Sequence, residues 1–303
     1  MVTIDELALQ AEKVGFGFRR RREFAAAEQI YLGALEAQNI SENVQARILA
    51  RIADVRRLPG DFVGAQEAID SGYELTDLTG LAYAMLGDQQ FLIWEAQDIN
   101  QDDALNVISG VVGLLDDLIE EDGEDASMAK ALYSGACNKL ARGAMTVGNS
   151  EYSVIPLLEK AVQMAEEVGN PVSSYNALMN LGKMYMLEEN FVKADSAYEE
   201  AEERLTFAEG DVEPHHKTLS LHLAWLGLSE GDYSSAEAHL TEFVVWANTD
   251  KAEEGYLRSL GSPKKGVFGK FVKPLYDSLV ASGEMEAIRG MKTLDPKMAS
   301  YFA

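Results

Sequence analysis

The chain has 303 residues, of which 47% are hydrophobic and 25% charged, a balance that suits a continuous core and a solvated surface. Its net charge of −24 excludes general binding to nucleic acid or to anionic membranes over most of the surface. The single cysteine, Cys137, excludes an intrachain disulfide and a structural zinc site built from several thiolates.

The sequence shows no targeting or membrane-spanning segment. Residues 1–6 are acidic from the start and lack the basic-then-apolar pattern of a signal peptide. The longest nearly apolar stretch, around residues 107–115, is too short to span a bilayer. We therefore expect a soluble, cytoplasmic protein. The charge is uneven, with a net charge of +1 over residues 1–60, −28 over 61–250 and +3 over 251–303.

Four segments of the sequence repeat one pattern, in which a turn is followed by an aromatic residue and then by small or apolar residues. The later positions are spaced four and three residues apart, which places them on one face of a helix. The dipeptides Gly-Asp and Glu-Asn indicate a tight turn before that helix. In chain order the segments are Glu23-Phe24-x2-Ala27-x3-Tyr31-x2-Ala34, Gly60-Asp61-Phe62-x2-Ala65-x3-Ile69-x2-Gly72, Asn190-Phe191-x2-Ala194-x3-Tyr198-x2-Ala201 and Gly231-Asp232-Tyr233-x2-Ala236-x3-Leu240-x2-Phe243.

An apolar helix with a small residue near its middle is predicted before each of these turns. The clearest copy is Leu178-x2-Leu181-Gly182-x2-Tyr185, and the others contain Gly15, Ala53 and Ala224. With these residues the chain resembles the tetratricopeptide repeat (TPR) family, and residues 175–205 match its signature positions almost throughout. The resemblance implies an all-α fold, a right-handed superhelix (α-solenoid) of helical hairpins. In such hairpins small residues let the paired helices approach closely.

Two weaker hairpins complete a set of about six. One contains Phe91 and Ile108, and the other contains Cys137 and Leu158. The predicted repeats cover approximately residues 8–45, 46–84, 85–125, 126–170, 171–210 and 214–250. Their period of roughly 40 residues exceeds the usual ~34, which implies longer helices. Residues 251–303 lose the register. We expect them to form an atypical helical cap, because the terminal unit of a solenoid must cover its exposed core.

Catalytic signals are weak. The sequence contains no nucleophile elbow, phosphate loop, dinucleotide fingerprint or His-Glu-x-x-His. The acidic loop at residues 120–125 lacks the ligand spacing of a calcium loop, and the similar start at Asp98 has Asp103 where the turn requires glycine. We therefore expect a protein that is not an enzyme and that needs no cofactor.

Two features leave a metal or a reactive thiol as alternatives. Clustering by chance is the simpler interpretation of the four histidines, although a transition-metal site is conceivable. These are His215, His216, His222 and His239. Cys137 occupies a core position of its helix, which favours a buried and inert thiol over a reactive one.

The resemblance also implies a concave groove, lined in the TPR family by the first helix of each hairpin. The positions that map to this surface are rich in basic and amide side chains, and only Glu12 and Asp54 are acidic among them. A basic inner surface on an acidic protein predicts an anionic ligand, which Arg and Asn can hold by directed hydrogen bonds. The candidate groove residues are Lys13, Arg47, Arg51, Gln90, Asn138, Arg142, Asn176, Asn180, Lys183 and His222.

The alternative is that these side chains only keep the surface soluble and pair with nearby acids. The family's carboxylate clamp of Lys and Asn is not reproduced in consecutive repeats, so binding of a chaperone tail is not expected. Two basic patches remain. Residues 19–22 end the first helix, where four arginines complement the helix dipole or contact a partner. Residues 264–273 mix lysines with aromatics and either cap the acidic trunk or dock onto a membrane or an acidic partner.

The leading hypothesis is a non-catalytic adaptor or scaffold whose groove binds an acidic peptide or an acidic segment of a partner protein. The alternative is a peptide-sensing regulator, in which the ligand changes the shape of the superhelix and so the binding of a partner. No effector domain is visible in the sequence, so the output of such a regulator would pass through a partner. The sequence leaves the oligomeric state open.

Overall fold

The computed structural model describes residues 3–97, 99, 101–121, 123, 125–147, 153–208 and 212–247. Within these ranges all regular structure is α-helical, which confirms the predicted all-α fold. The helices are α1 (Ile4–Arg20), α2 (Phe24–Leu35), α3 (Glu42–Arg57), α4 (Phe62–Tyr73), α5 (Gly80–Gln97), α6 (Gln101–Glu120), α7 (Ala126–Val147), α8 (Val154–Glu167), α9 (Pro171–Leu187), α10 (Phe191–Leu205), α11 (Glu213–Glu230) and α12 (Tyr233–Ala247).

The chain divides into two compact units, residues 1–168 and 169–303. In the first unit, α1 to α8 form four hairpins of consecutive helices. Each second helix of the first three hairpins packs against the first helix of the next, and α1, α3 and α5 also contact one another in sequence. The second unit contains the hairpins α9/α10 and α11/α12, joined by packing of α10 on α11. Each unit is therefore built as a helical repeat.

One tight turn recurs in four of the hairpins. The residue before the N-cap of the second helix has a positive φ in each case, at Arg22 (63°), Gly60 (100°), Glu189 (58°) and Gly231 (82°). The N-cap carboxylates of Asp61 and Asp232 accept hydrogen bonds from the backbone N–H three residues later, at 2.9 and 3.0 Å. These contacts satisfy a backbone N–H that the helix start leaves without a partner. The turn predicted from Gly-Asp and Glu-Asn is thus observed.

Close packing of the paired helices depends on glycine where the second helix carries tyrosine. A Cβ atom at Gly15 or at Gly182 would lie 2.3 Å from a ring carbon of Tyr31 or Tyr198. The corresponding positions of α3 and α11 hold Ala53 and Ala224, in hairpins whose second helix carries the smaller Ile69 and Leu240. The larger residue on the first helix thus accompanies a smaller side chain on the second, as close packing requires.

Several predictions concern residues outside the described ranges. The cap at residues 251–303, its basic segment at 264–273, and parts of the loops at 98–100 and 120–125 belong to this group. Among the helices of the described ranges, none is long and apolar enough to cross a membrane.

Candidate ligand-binding surface

A buried carboxylate on α1 holds two arginines of α3. Glu12 is 5% exposed and accepts hydrogen bonds from Nη2 of Arg47 at 3.1 Å and from Nε of Arg51 at 2.8 Å. The two arginines are four residues apart, so they lie on one face of α3. A carboxylate this buried is costly unless it is paired, and the two guanidinium groups supply the pairing.

A second buried carboxylate, on α3, holds one arginine of α1 and one of its own helix. Asp54 of α3 is 5% exposed and accepts from Nε of Arg19 on α1 at 2.8 Å and from Nη2 of Arg57 at 2.7 Å. Burial alone would raise the pKa of Asp54. The charges and hydrogen bonds of Arg19 and Arg57 outweigh that effect and hold the pKa below its usual value.

Four arginines thus face two carboxylates, which leaves a net charge of +2 on this part of α1 and α3. Between them lies Phe16, which is 38% exposed. The guanidinium carbons of Arg19 and Arg51 lie 5.8 and 5.4 Å from the centre of its ring, within the range of cation–π contact. We call Phe16 and the four arginines (Arg19, Arg47, Arg51 and Arg57) the arginine surface.

The neighbourhood of the arginine surface adds further positive charge. Lys13 and Arg20 are exposed and lie three residues before and four residues after Phe16 on α1, so they share its face of the helix. This arrangement can hold a carboxylate beside an apolar group. Arg47, Arg51 and Lys13, three of the predicted groove residues, are therefore brought to one region.

The hydroxyl of Tyr31 lies beneath this region, near the charges of Arg51, Glu12 and Asp54. Burial raises the pKa of Tyr31 to about 12, and the guanidinium of Arg51 opposes the rise. Within the described part of the chain this buried hydroxyl has no hydrogen-bond partner. Tyr31 therefore packs under the arginine surface without a hydrogen bond to any described residue of it.

The next pair of first helices in this unit, α5 and α7, is different because each cation there has its own acid. Lys139 of α7 pairs with the buried Asp88 of α5. Arg142 forms two hydrogen bonds to Glu95, at 2.8 and 2.6 Å. Here the alternative in which basic residues pair with nearby acids describes the structure, and these pairs leave no excess positive charge.

Two amides predicted for the groove of this unit lie in the interior. Gln90 is 4% exposed and exchanges two hydrogen bonds of 2.8 Å with Gln66 of α4, and Asn138 of α7 is 8% exposed. Gln90 thus has its amide group engaged within the protein. Neither side chain is presented for ligand binding in this conformation.

Of the four predicted residues in the second unit, three are at least partly exposed and one is buried. On α9, Asn176 is exposed, and Asn180 and Lys183 are half-buried. His222 of α11 is only 7% exposed, and its Nδ1 lies at hydrogen-bond distance, 3.3 Å, from the Tyr198 hydroxyl. Burial lowers the pKa of His222 to about 3, and the charge of Lys183 acts in the same direction. His222 is therefore a neutral interior side chain.

The remaining candidates are the histidines and Cys137. No three His, Cys, Asp or Glu side chains there are grouped to hold a metal ion. His216 and His239 line a cleft of about 460 Å³ in the second unit, which also contains the ion pair of Lys217 with Glu242 at 2.6 Å. Cys137 is buried as predicted, and burial raises its pKa to about 12.

Sequence reasoning missed three residues, one aromatic and two acidic. Phe16 occupies a groove position, but its apolar side chain drew no attention in a search for polar ligands. Asp88 and Glu95, which neutralise α7, lie outside the positions that the family pattern assigns to the groove. A search for acids on the preceding first helix, in reach of each predicted cation, would have found them.

Comparison with solved structures finds matches along most of the chain at low sequence identity. BtubC (BKLC) from P. vanneervenii matches with a TM-score of 0.51 and 16% identity over 86% of this chain and 94% of that chain. PilW, a type IV pilus biogenesis factor, matches with a TM-score of 0.53 and 10% identity over 84% and 99% of the two chains.

A third match is a protein that contains a TPR sensor. It is a signal transduction ATPase with numerous domains from Pyrococcus horikoshii, with a tetratricopeptide repeat sensor. The TM-score is 0.58 and the identity 14%, over 90% of this chain and 42% of that chain. The fold is a TPR-like helical repeat. No protein-family model and no curated protein matches the sequence of this TPR-like chain, so the likeness establishes the fold alone.

Proposed function

We propose that this TPR-like protein is a non-catalytic cytoplasmic adaptor, a divergent member of the TPR family, that binds an acidic peptide or an acidic segment of a partner protein. One observation carries the proposal. Glu12 and Asp54, the two carboxylates between α1 and α3, each hold two arginines, so a positive surface is built into a chain whose net charge is −24.

The arginines are already ordered before a ligand arrives. Their side chains are between 14% and 32% exposed, and each is fixed by a hydrogen bond to a buried carboxylate. A ligand carboxylate therefore meets guanidinium groups that have already lost much of their side-chain entropy. The excess charge of +2 attracts an acidic segment and repels a basic one.

Phe16 gives the surface a second kind of contact. Its ring lies between Arg19 and Arg51 and is partly open to solvent. An apolar or aromatic residue next to the ligand's acidic residues would pack on the ring while the carboxylates bind the arginines. The proposed ligand is thus an acidic segment that contains an apolar residue. Because the ion pairs on α5 and α7 are neutral, we expect the main contacts of the ligand on α1 and α3.

The test compares two labelled peptides by fluorescence anisotropy, one rich in glutamate with a single phenylalanine and one with glutamine in place of each glutamate. We expect the protein to bind the glutamate peptide more tightly, with an affinity that falls as salt rises. The variant Arg19→Gln/Arg51→Gln leaves one arginine on each buried carboxylate and removes the excess charge. It is expected to lose roughly 10-fold in affinity or more, as charge-assisted hydrogen bonds are lost.

A matched control removes two arginines elsewhere. Arg56→Gln/Arg204→Gln changes the net charge by the same amount but breaks the ion pairs with Glu28 and Glu200. This control should bind as the wild type does. Equal affinity of the wild type for both peptides, or equal loss in both variants, contradicts the proposal. Replacing both Arg47 and Arg51 by Glu is a poorer test, because both side chains hold Glu12 and folding would fail with binding.

A further inference from the structure

Two of the four arginines in the arginine surface are more open to a ligand than the other two. The side chains of Arg19 and Arg51 are 32% and 23% exposed, against 14% and 16% for Arg47 and Arg57. Arg19 and Arg51 each hold a buried carboxylate through Nε, at 2.8 Å, which leaves the four N–H donors on the two Nη atoms. Among the residues that the structure describes, none accepts a hydrogen bond from these Nη atoms.

Both of these arginines lie beside the ring of Phe16. Their guanidinium carbons are 5.8 and 5.4 Å from the centre of the ring, which is 38% exposed. A ligand group that packs on the exposed part of the ring therefore comes close to two guanidinium groups at once.

The charge of the region indicates which anion fits there. The arginine surface has an excess charge of +2, and the exposed cations Lys13 and Arg20 of α1 add to it. A carboxylate supplies one negative charge and two acceptor oxygens. A phosphorylated side chain carries about −1.5 to −2 at neutral pH and three acceptor oxygens, and clusters of arginine recognise it by charge-assisted hydrogen bonds. The charge and the number of donors thus match a phosphoryl group better than a single carboxylate.

We infer that the acidic segment bound by the arginine surface contains a phosphotyrosine. The inference rests on the proposed function, since it names one residue of the ligand proposed there. The phenyl ring of the phosphotyrosine packs on Phe16, and its phosphoryl oxygens accept hydrogen bonds from Arg19 and Arg51. Binding of the partner then depends on its phosphorylation.

Other residues of a ligand satisfy only part of this arrangement. Phosphoserine and phosphothreonine carry the same charge but have no ring to pack on Phe16. A glutamate beside a phenylalanine supplies both contacts, but from two side chains and with a single negative charge. Phosphotyrosine supplies both contacts from one side chain that has few rotatable bonds, which lowers the entropy lost on binding.

Fluorescence anisotropy with peptides that differ at one residue tests the inference. The glutamate peptide is prepared with tyrosine, phosphotyrosine or phosphoserine in place of its phenylalanine. We expect the phosphotyrosine peptide to bind roughly 10-fold or more tightly than the tyrosine peptide, with the phosphoserine peptide between them. Arg19→Lys/Arg51→Lys keeps a cation beside each buried carboxylate, so it should fold, but it lacks the planar pair of donors and should lose most of this preference. The control Arg56→Gln/Arg204→Gln should retain the preference.

Competition with two small phosphates separates the ring contact from the phosphate contact. Phenyl phosphate carries a ring and inorganic phosphate does not. Phenyl phosphate should therefore displace the phosphotyrosine peptide at a lower concentration than inorganic phosphate does. Phe16→Leu should reduce this difference. Equal displacement of the peptide by the two compounds would mean that the surface binds anions without contacting a ring, and it would overturn the inference.

The possible results distinguish this inference from the proposed function. A glutamate peptide that binds, and gains no affinity from phosphotyrosine, overturns the inference and leaves the proposed function intact. Equal affinity for the phosphoserine and phosphotyrosine peptides also overturns the inference. If neither the glutamate peptide nor the phosphotyrosine peptide binds, the proposed function fails and the inference fails with it.

Discussion

The hairpins α1/α2 and α9/α10 pack in the same way but present different chemistry to the helix that follows. Both place a glycine under a tyrosine ring, Gly15 under Tyr31 and Gly182 under Tyr198, with the same 2.3 Å limit on a Cβ atom. In the second unit the Tyr198 hydroxyl bonds to His222 of α11. In the first unit Tyr31 lies beneath charged groups and forms no hydrogen bond with the described residues.

The difference arises at one position. Arg51 and His222 are each the tenth residue of the helix that follows, α3 and α11. Arginine at this position reaches a buried carboxylate and stays charged, whereas histidine is buried and stays neutral. The repeat pattern thus determines the packing of the hairpins. The residues at positions that the repeat pattern does not specify, such as Arg51 and His222, determine whether a surface attracts anions.

The largest effect is expected from acid on the second unit. His222 has a pKa of about 3 when folded and an ordinary value near 6.5 when unfolded. Below pH 6.5 the unfolded chain therefore binds a proton that the folded chain does not, and stability falls as the pH falls. Between pH 7 and pH 5 this loss is on the order of 2 kcal/mol. Urea unfolding at several pH values should show a weaker pH dependence in His222→Gln than in the wild type.

The first unit should respond to acid only at lower pH. The pKa of Asp54 in the folded protein is held below its usual value. Its contribution to stability is therefore complete above the pKa of the unfolded chain, and it is lost as the pH falls towards the lower pKa of the folded chain. Hydrogen exchange between pH 6.5 and pH 5 should accordingly show loosening of α10 and α11 before α1 and α3. Loosening of α1 and α3 first would contradict the assignment of the two pKa shifts.

Alanine at the two packed glycines should weaken both hairpins alike. A Cβ atom at Gly15 or Gly182 forces the tyrosine ring to move, and the overpacking cost of about 1–3 kcal/mol exceeds the gain of about 1 kcal/mol in helix propensity. We expect net losses of up to about 2 kcal/mol in urea unfolding. Gly33→Ala is the control, because nothing lies within 4 Å of its Cβ position. That variant should be stabilised, and a loss there as large as at Gly182 would refute the packing argument.

Removing the tyrosine hydroxyls should have opposite effects in the two hairpins. Tyr198→Phe leaves Nδ1 of the buried His222 without its partner and should cost about 1 kcal/mol. Tyr31→Phe removes a buried hydroxyl that no described residue satisfies, so it should be neutral or slightly stabilising. Thermal unfolding of the two variants checks the sign. Equal destabilisation by both would mean that the two tyrosines have equivalent surroundings.

Much of the fold could be predicted from the sequence because the repeat positions are short-range. Gly182 and Tyr198 are only 16 residues apart. The sizes of the two side chains, the turn between their helices and the spacing of apolar residues are all visible in that short segment. The site was harder to predict because charge balance is long-range. Lys139 and Asp88 are 51 residues apart, so the repeat pattern that made α7 look basic does not show the neutral pairs of α5 and α7. Finding them requires a comparison of the acids and bases on successive first helices.

The burial of polar residues caused the other differences. Gln90 and His222 lie at positions that the family pattern assigns to the groove, yet both are satisfied by partners inside the protein. Whether a polar side chain faces solvent depends on the tilt and length of its neighbours, and α5 and α7 are 18 and 22 residues long. Arg47 and Arg51 lie together because both pair with Glu12 of α1, and their role in ligand binding stays a prediction.

Hydrogen exchange with and without the glutamate peptide tests the central claim most directly, since it locates the bound ligand on the chain. If the arginine surface binds the acidic segment, amides of α1 and α3 should exchange more slowly on addition of this peptide, while those of α9 and α11 should not change. The glutamine peptide at the same concentration should have no effect. Protection of α9 and α11 instead, or equal protection of α1 and α3 by both peptides, would contradict the account.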